Sequence, residues 1–312
     1  MRVGVLMGGW SPERKVSLMS GKNVVEGLKK DGHKAVPLVL TPADKNEKRL
    51  AKRIKAAGVD VVFIALHGEF GEDGQVQALL DRWKVPYTGS GALACGLAMH
   101  KGCSKLVFES QKVPTPAWQA LHRSAPRGSW AREVRIKVPM VVKPADAGSA
   151  IGVTIVRDRS GIRKAVELAF RYSQWAIVEK FVPGVEVTAG VLEDLALPLI
   201  EIRPKNEFYD FDAKYTPGRS DHVIPAGITP AQARKVKAFA LRAGRALGCE
   251  GFYRVDLIVP RKGEPQVLEV NTVPGMTSTS LFPEAAKAAG FAFPKLLSVL
   301  TGLALKKDRK GA

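Results

Sequence analysis

Apolar positions recur along this chain in two alternating spacings, and the alternation predicts an α/β protein. RVGVLMGG (residues 2–9) reads as a strand ending in a tight glycine turn. SLMSGKNVVEGLKKDG then puts Leu18, Val24, Val25 and Leu28 on one helical stripe, with Gly32 as the stop. VDVVFIAL (59–66) is a near-continuous apolar run, the pattern of a parallel strand covered on both faces. HGEFGEDG follows at its carboxyl end, where open sheets bind ligands. The first 95 or so residues therefore read as an open α/β unit.

The pattern changes between residues 100 and 180. After VPTPAW and a polar stretch rich in Arg and Ser, the segments VPMVVKP, GVTIV and AIVEKF read as strands. Gly161–Arg171 reads as a helix capped by Ser160, which makes this a smaller α+β unit. From about Val185, VEVTAGVL and LPLIEI are strands, and FYDFDAKYTPGRSDH is a long polar loop. PAQARKVKAFALRAGRALG is a helix opened by Thr229 and Pro230, and two short helical segments close the chain.

Composition narrows the classes. With 312 residues and 46% hydrophobic content the chain can bury a substantial core and fill two or three domains. No apolar run approaches the roughly 20 residues that cross a bilayer, and the start reads as a first strand rather than a signal peptide. Cys95, Cys103 and Cys249 form no C-x-x-C pair, which fits a reducing compartment; the expectation is a cytoplasmic protein without a membrane partner. The 48 Lys and Arg outnumber the 30 Asp and Glu, for a net charge of +18. The excess is spread over helix faces and tails, with no zinc-finger spacing or RNA-binding signature, so no specific nucleic-acid partner is expected. It also attracts nucleotides and other small anions.

The strongest chemical signal lies near the end. RVDLIV and PQVLEVN flank RKGE, which reads as a hairpin turn. Folding about Lys262 sets Asp256 opposite Glu269 or its neighbour, and Glu269 and Asn271 share a strand face. Two carboxylates and an amide oxygen would repel unless a cation joined them, and Mg²⁺ accepts such oxygens together with phosphate and water. The plainer alternative is a solvated hairpin with scattered acids. The hydroxyl-rich TVPGMTSTSLFP that follows favours an anionic substrate beside a metal.

Two further segments point to phosphate. In VVKPADAGSAIGV a strand ends at Lys143, and small residues let the N–H groups of Gly148 to Ile151 approach an anion; a glycine-containing hairpin tip is the alternative. Neither the P-loop nor the Rossmann spacing is present. In AIVEKFVPGVEV the linker Lys180–Val182 offers backbone groups to an adenine edge, and Glu186 could accept from ribose hydroxyls; Glu179 and Glu186 as ordinary surface acids is the alternative.

Taken together these segments are a resemblance. GGWSPERKVSLMSG, LHGEFGEDGQVQ, PYTGSG, MHKGCSK, VVKPADAGSAIGV, VEKFVPGVEVT, YDFDAKYTPG, GFYRVDLIV and LEVNTVPGMTSTSLFP occur in the order found in D-alanine–D-alanine ligases of the ATP-grasp superfamily, and they span nearly the whole chain. The resemblance implies α/β and α+β classes in a three-domain ATP-grasp architecture. An open parallel-sheet N-terminal domain, binding substrate, would cover residues 1–98, a central ATP-grasp domain 99–183, and a C-terminal catalytic domain 184–312. It also implies ATP and two Mg²⁺ (or Mn²⁺) ions, D-alanine as substrate, peptidoglycan precursor synthesis and a homodimer.

Residue roles follow from the same resemblance. Asp256, Glu269 and Asn271 would hold the metals. Lys101, Lys143 and Lys214 would neutralise phosphate, with Gly148 and Ser149 beside it, and Glu179, Lys180, Phe181, Val182 and Glu186 would hold adenine and ribose. Glu13 would meet the first D-alanine's ammonium beside His67, and Ser280, Leu281 and Lys214 would hold the second D-alanine. Arg254 and the N–H of Gly275 would meet the oxyanion, and Tyr215 and Ser149 would link Glu13 to the loop bearing Lys214. The chain makes three departures from the common pattern: His100 where many relatives have an acid, Ala150 where many have Ser, and the pair Asp146-Ala147 where a charged pair is commoner. A D-alanine–D-lactate ligase, or another carboxylate–amine ligase of the superfamily, is the alternative, and Tyr215 in AKY matches the dipeptide pattern.

Overall fold

The structure is a computed structural model that describes residues 1–126, 129–204 and 220–311. β1 (Arg2–Gly8), β2 (Lys34–Leu40) and β3 (Val61–Ile64) form a parallel sheet in the order β2-β1-β3. Val62 also bridges Tyr87 in parallel, extending the sheet by one short segment. Gly8 and Gly9 turn the chain after β1 at φ 87° and 83°, a region glycine enters without steric cost. α1 (Arg14–Lys30) follows. Its predicted stripe is present: Val24 and Leu28 are fully buried, and Leu18 and Val25 pack beside them.

The middle of the chain builds a four-stranded antiparallel sheet. β4 (Trp118–His122), β5 (Met140–Pro144), β6 (Thr154–Val156) and β7 (Trp175–Lys180) run in the order β4-β7-β5-β6. β4 carries no strict alternation, and its strand state comes from pairing with β7. The helix expected over Gly161–Arg171 is shorter, at Ile162–Ala169, and Ser160 is not its cap. Asp158 accepts the Ser160 N–H at 2.9 Å and opens a single 3₁₀ turn ahead of the helix. A carboxylate reaching an amide two residues on closes that turn more readily than a serine hydroxyl does.

The third sheet is antiparallel. β8 (Val185–Leu192), β10 (Ile200–Pro204), β11 (Ser220–Val223), β12 (Phe252–Val259) and β13 (Gln266–Asn271) take the order β11-β10-β8-β12-β13, with β9 (Leu195–Ala196) paired to the far end of β8. Ser220–Val223, expected as loop, pairs with β10 across four positions. Its sequence, SDHV, shows no apolar face, so pairing alone makes it a strand. The helix Pro230–Leu247 opens as expected at Thr229, with a reciprocal capping box to Gln232.

The chain closes on helices Leu281–Ala288 and Phe293–Gly311, the latter 19 residues long rather than short. They return to the start of the molecule: Leu296, Leu297 and Leu300 share one core with Val3, Val5, Leu28 and Phe63. Phe108 and Val113, which precede the middle sheet, are buried with Val236, Val255 and Leu257 of the third. Among the described residues no single helix is long and apolar enough to cross a membrane.

Candidate active site

β12 and β13 pair with Asp256 opposite Glu269 and Arg254 opposite Asn271, and the register shifts just after Asp256. Arg254 and Asp256 are two apart on one strand and so share a face. The guanidinium donates to Asp256 from Nε at 2.9 Å and Nη2 at 2.8 Å, and Thr188 Oγ1 donates to the same carboxylate at 2.6 Å. Glu269 lies 3.4 Å from Lys101 Nζ. Asn271 Oδ1 accepts the Val273 N–H at 3.0 Å.

This donor set fits a hard divalent cation. Among the described residues no three His, Cys, Asp or Glu converge. The protein would therefore supply two carboxylates and one amide oxygen and leave further positions to phosphate and water, the usual arrangement for Mg²⁺ with a nucleotide. The acids are balanced by Arg254 and Lys101, so an arriving cation would take over charge compensation these side chains provide.

Above the hairpin, Lys143 on β5 and Glu179 on β7 meet at 2.8 Å. Lys105 of α2 (Lys101–Ser110) reaches the same carboxylate oxygen at 3.1 Å, and its side chain is fully buried. Burial opposes ionisation of Glu179, yet the ammoniums of Lys105 and Lys143 hold its carboxyl below the usual range. Burial dominates at Lys105 and pushes its ammonium down to about 8. Lys105 was not singled out from the sequence; its i,i+4 spacing from Lys101, which puts both lysines on one helix face, was the available signal.

α2 is capped by His100, whose Nδ1 accepts the Cys103 N–H at 3.2 Å. An acid at this position would accept the same hydrogen bond through a carboxylate oxygen, which accounts for that departure. Lys101 Nζ donates to Ala147 O at 2.8 Å and so ties the small-residue loop to the acid hairpin. Ser149 and Ala150 adopt φ of 53° and 58°, left-handed backbone that costs energy outside glycine. In the linker, Lys180 N–H donates to Ala117 O at 2.8 Å and Phe181 N–H to Pro139 O at 3.1 Å, so neither is available to a ligand.

On the opposite side Glu13 precedes α1, nearly buried, and the Ser149 hydroxyl donates to it. A Cβ on Gly148 would lie 3.3 Å from the same carboxylate, so a small residue keeps the loop close. His67 Nε2 is 3.1 Å from Ser20 Oγ, which accepts the Met276 N–H at 3.2 Å. Its Nδ1 faces Glu72 at 3.7 Å. Ser20 and Glu72 were also missed, since nothing in their spacing marks which hydroxyl or loop acid folds back onto the histidine. Ser280 Oγ accepts the Thr277 N–H at 2.9 Å, and a Cβ at Gly275 would sit 2.8 Å from that oxygen.

These groups line two cavities. The smaller, about 90 Å³, gathers Glu13, His67, Ser149, Arg254, Asn271, Gly275, Ser280 and Leu281. The larger, about 550 Å³, has the size of a nucleotide-type ligand site and gathers Lys143, Glu179, Lys180, Phe181, Val182, Glu186 and Asp256. Lys101, Gly148 and Glu269 line both. Lys214 and Tyr215 lie outside the described residues; every other residue expected at the site borders one cavity or both.

Known proteins share this sequence and fold. The family models for the D-ala D-ala ligase C-terminus and N-terminus match residues 107–301 and 41–90. The D-alanine–D-alanine ligase of Geotalea uraniireducens is 45% identical over 306 residues, covering 98% of this chain and 96% of its own; that of Pelotomaculum thermopropionicum is 44% identical over 315 residues, covering 98% and 97%. The crystal structure of D-alanine–D-alanine ligase from Bacillus anthracis superposes with a TM-score of 0.86 at 35% identity, and its complex with ATP with 0.85 at 31%, each covering 100% of both chains. In sequence and in fold, the chain belongs to the D-alanine–D-alanine ligase family of the ATP-grasp superfamily.

Proposed function

We propose that the protein joins two molecules of D-alanine into D-alanyl-D-alanine at the expense of ATP, supplying a peptidoglycan precursor. The observation that carries this reading is the shared wall: Lys101, Gly148 and Glu269 border both a small polar cavity and a nucleotide-sized one. A group leaving one cavity for the other passes these residues. The Bacillus anthracis relative crystallised with ATP supports ATP as the nucleotide, and the relatives named as D-alanine–D-alanine ligases favour the dipeptide over a D-lactate product.

In this reading Glu13, oriented by Ser149, holds the ammonium of the first D-alanine and leaves its carboxylate facing the shared wall. Lys101 and Lys143, together with Lys214, balance the phosphate oxygens while the carboxylate takes the terminal phosphoryl group, giving an acylphosphate and ADP. Asp256, Glu269 and Asn271 would hold two Mg²⁺ (or Mn²⁺) ions, which when bound offset negative charge on the phosphates. Ser280 and Lys214 hold the carboxylate of the second D-alanine, whose amine attacks the activated carbonyl; collapse of the tetrahedral intermediate breaks the acyl C–O bond, releasing inorganic phosphate, and the amine gives up a proton. Arg254 and the Gly275 N–H meet the oxyanion that develops, where fixed donors favour the transition state over the ground state. Tyr215 and Lys214 exclude water from the acylphosphate. A homodimer in the cytoplasm completes the reading, and light scattering checks the assembly.

Phosphate release from ATP tests the reading directly. Release with D-alanine alone, absent with L-alanine and not dependent on added D-lactate, is expected. Release that requires D-lactate, or that is indifferent to D-alanine, would overturn it.

A further inference from the structure

Behind the nucleotide cavity stands a side chain that no step above uses. Lys105 is fully buried and does not line the cavity; it sits behind the wall that Lys143 and Glu179 present. Its ammonium lies 3.1 Å from Glu179 Oε1 and donates to Thr115 Oγ1 at 2.6 Å, and the Thr115 hydroxyl in turn donates to Val267 O at 2.8 Å. Val267 belongs to β13, two residues before Glu269, and its N–H is taken by Pro114 O at 2.7 Å. One chain of polar contacts therefore runs from Lys143 through Glu179, Lys105 and Thr115 to the acid hairpin.

A buried ammonium is expensive to keep, and an apolar side chain of similar volume would often serve stability as well. Charge counting shows what the lysine contributes. With Lys143 alone, Glu179 would form a neutral pair whose cation is fully compensated. With two lysines on one carboxylate the cluster keeps a unit of positive charge, and Lys143 is the member that faces the cavity. In a dry wall that surplus acts on a phosphate more strongly than it would in water.

We propose that Lys105 is a positioning residue for nucleotide binding: it shares Glu179 with Lys143, so that Lys143 is held in place yet remains free in charge to meet the phosphates, and through Thr115 it joins that wall to the hairpin floor. The inference rests on the ligase reading. The groups facing Lys105 are Glu179 on β7, Lys143 on β5, Thr115, and Glu109 on its own helix. Burial lowers its proton affinity to about 8, which adds a measurable consequence at alkaline pH.

Lys105→Met tests it, since the substitution leaves Glu179 paired with Lys143 and keeps the volume filled. Calorimetric affinity for ATP with Mg²⁺ is expected to fall about tenfold or more, the scale of a hydrogen bond to a charged group. The KM for ATP should rise by the same factor and that for D-alanine by less than twofold, and Lys105→Arg should recover part of the loss. An ATP affinity within twofold of the unmodified protein, or equal rises in both KM values, would overturn the proposal. Should the methionine variant not fold, the unmodified protein decides: its affinity for ATP falls as pH passes through about 8, and a flat affinity between about pH 7 and 9 rejects Lys105 as a charge-bearing part of the wall. Unmodified protein that binds no ATP would instead sink the ligase reading, which separates the two failures.

Discussion

The two charged surfaces of the nucleotide cavity solve opposite problems. The wall of Lys143, Glu179 and Lys105 is almost entirely buried, and its two ammoniums share one carboxylate. The floor of Arg254, Asp256, Glu269 and Asn271 is more open: the Glu269 side chain is 29% exposed and that of Glu179 only 3%. In the wall, low dielectric strengthens each contact and makes every unpaired charge costly. On the floor, solvent and neighbouring cations already compensate the acids, so they can exchange partners when a metal and phosphates arrive. The wall is built for binding, and the floor for chemistry.

The sharpest way to break that contrast is at Glu269. Glu269→Gln is expected to reduce turnover below detection while the thermal midpoint stays within a few degrees of the unmodified protein; an unchanged kcat would remove the acid from the reaction. Glu179→Gln should act first on stability. It leaves two buried ammoniums without their anion, and denaturant titration should show a loss of about 3–5 kcal/mol of stability. If both variants lost activity at equal stability, the wall would be no different in kind from the floor.

Smaller effects sharpen it further. Ser149→Ala removes the hydroxyl that orients Glu13, and kcat/KM for D-alanine should fall about tenfold or more while the KM for ATP holds. A matching rise in the KM for ATP would place that serine on the nucleotide side. Lys105 gives the wall an alkaline signature of its own. Because its folded-state value of about 8 lies below the ordinary 10.5, the unfolded chain binds more protons between those limits, so this group makes the fold more stable as pH rises while nucleotide affinity falls. Parallel melts and ATP titrations across that interval check the opposed slopes. His100→Ala should cost about 1 kcal/mol through loss of a helix cap, with His100→Asp restoring it.

Much of the floor was legible in the chain. Asp256 opposite Glu269 or its neighbour follows from turn length and the two-residue period of a strand, both local properties, and the register shift after Asp256 settles the pairing on Glu269. The start of the Pro230–Leu247 helix was equally readable, because Thr229 and Pro230 act within one turn. The wall was not. Nothing in the sequence separates Lys105 from a surface lysine, and only the tertiary structure buries it against Glu179 of β7. Ser20 and Glu72 were missed for the same reason, each meeting His67 from an element distant along the chain.

The sequence by itself determined the alternation of strands and helices, the acid hairpin, the small-residue loop after Lys143 and the family resemblance, since each is a matter of period, turn chemistry or motif order. The tertiary structure decided which ammoniums are buried and which face the cavity, and that the small cavity and the larger one share Lys101, Gly148 and Glu269. It also decided that the closing helix seals the first sheet. Burial and proximity are set by contacts between residues far apart along the chain, and charge, proton affinity and shared walls follow from those contacts rather than from local pattern.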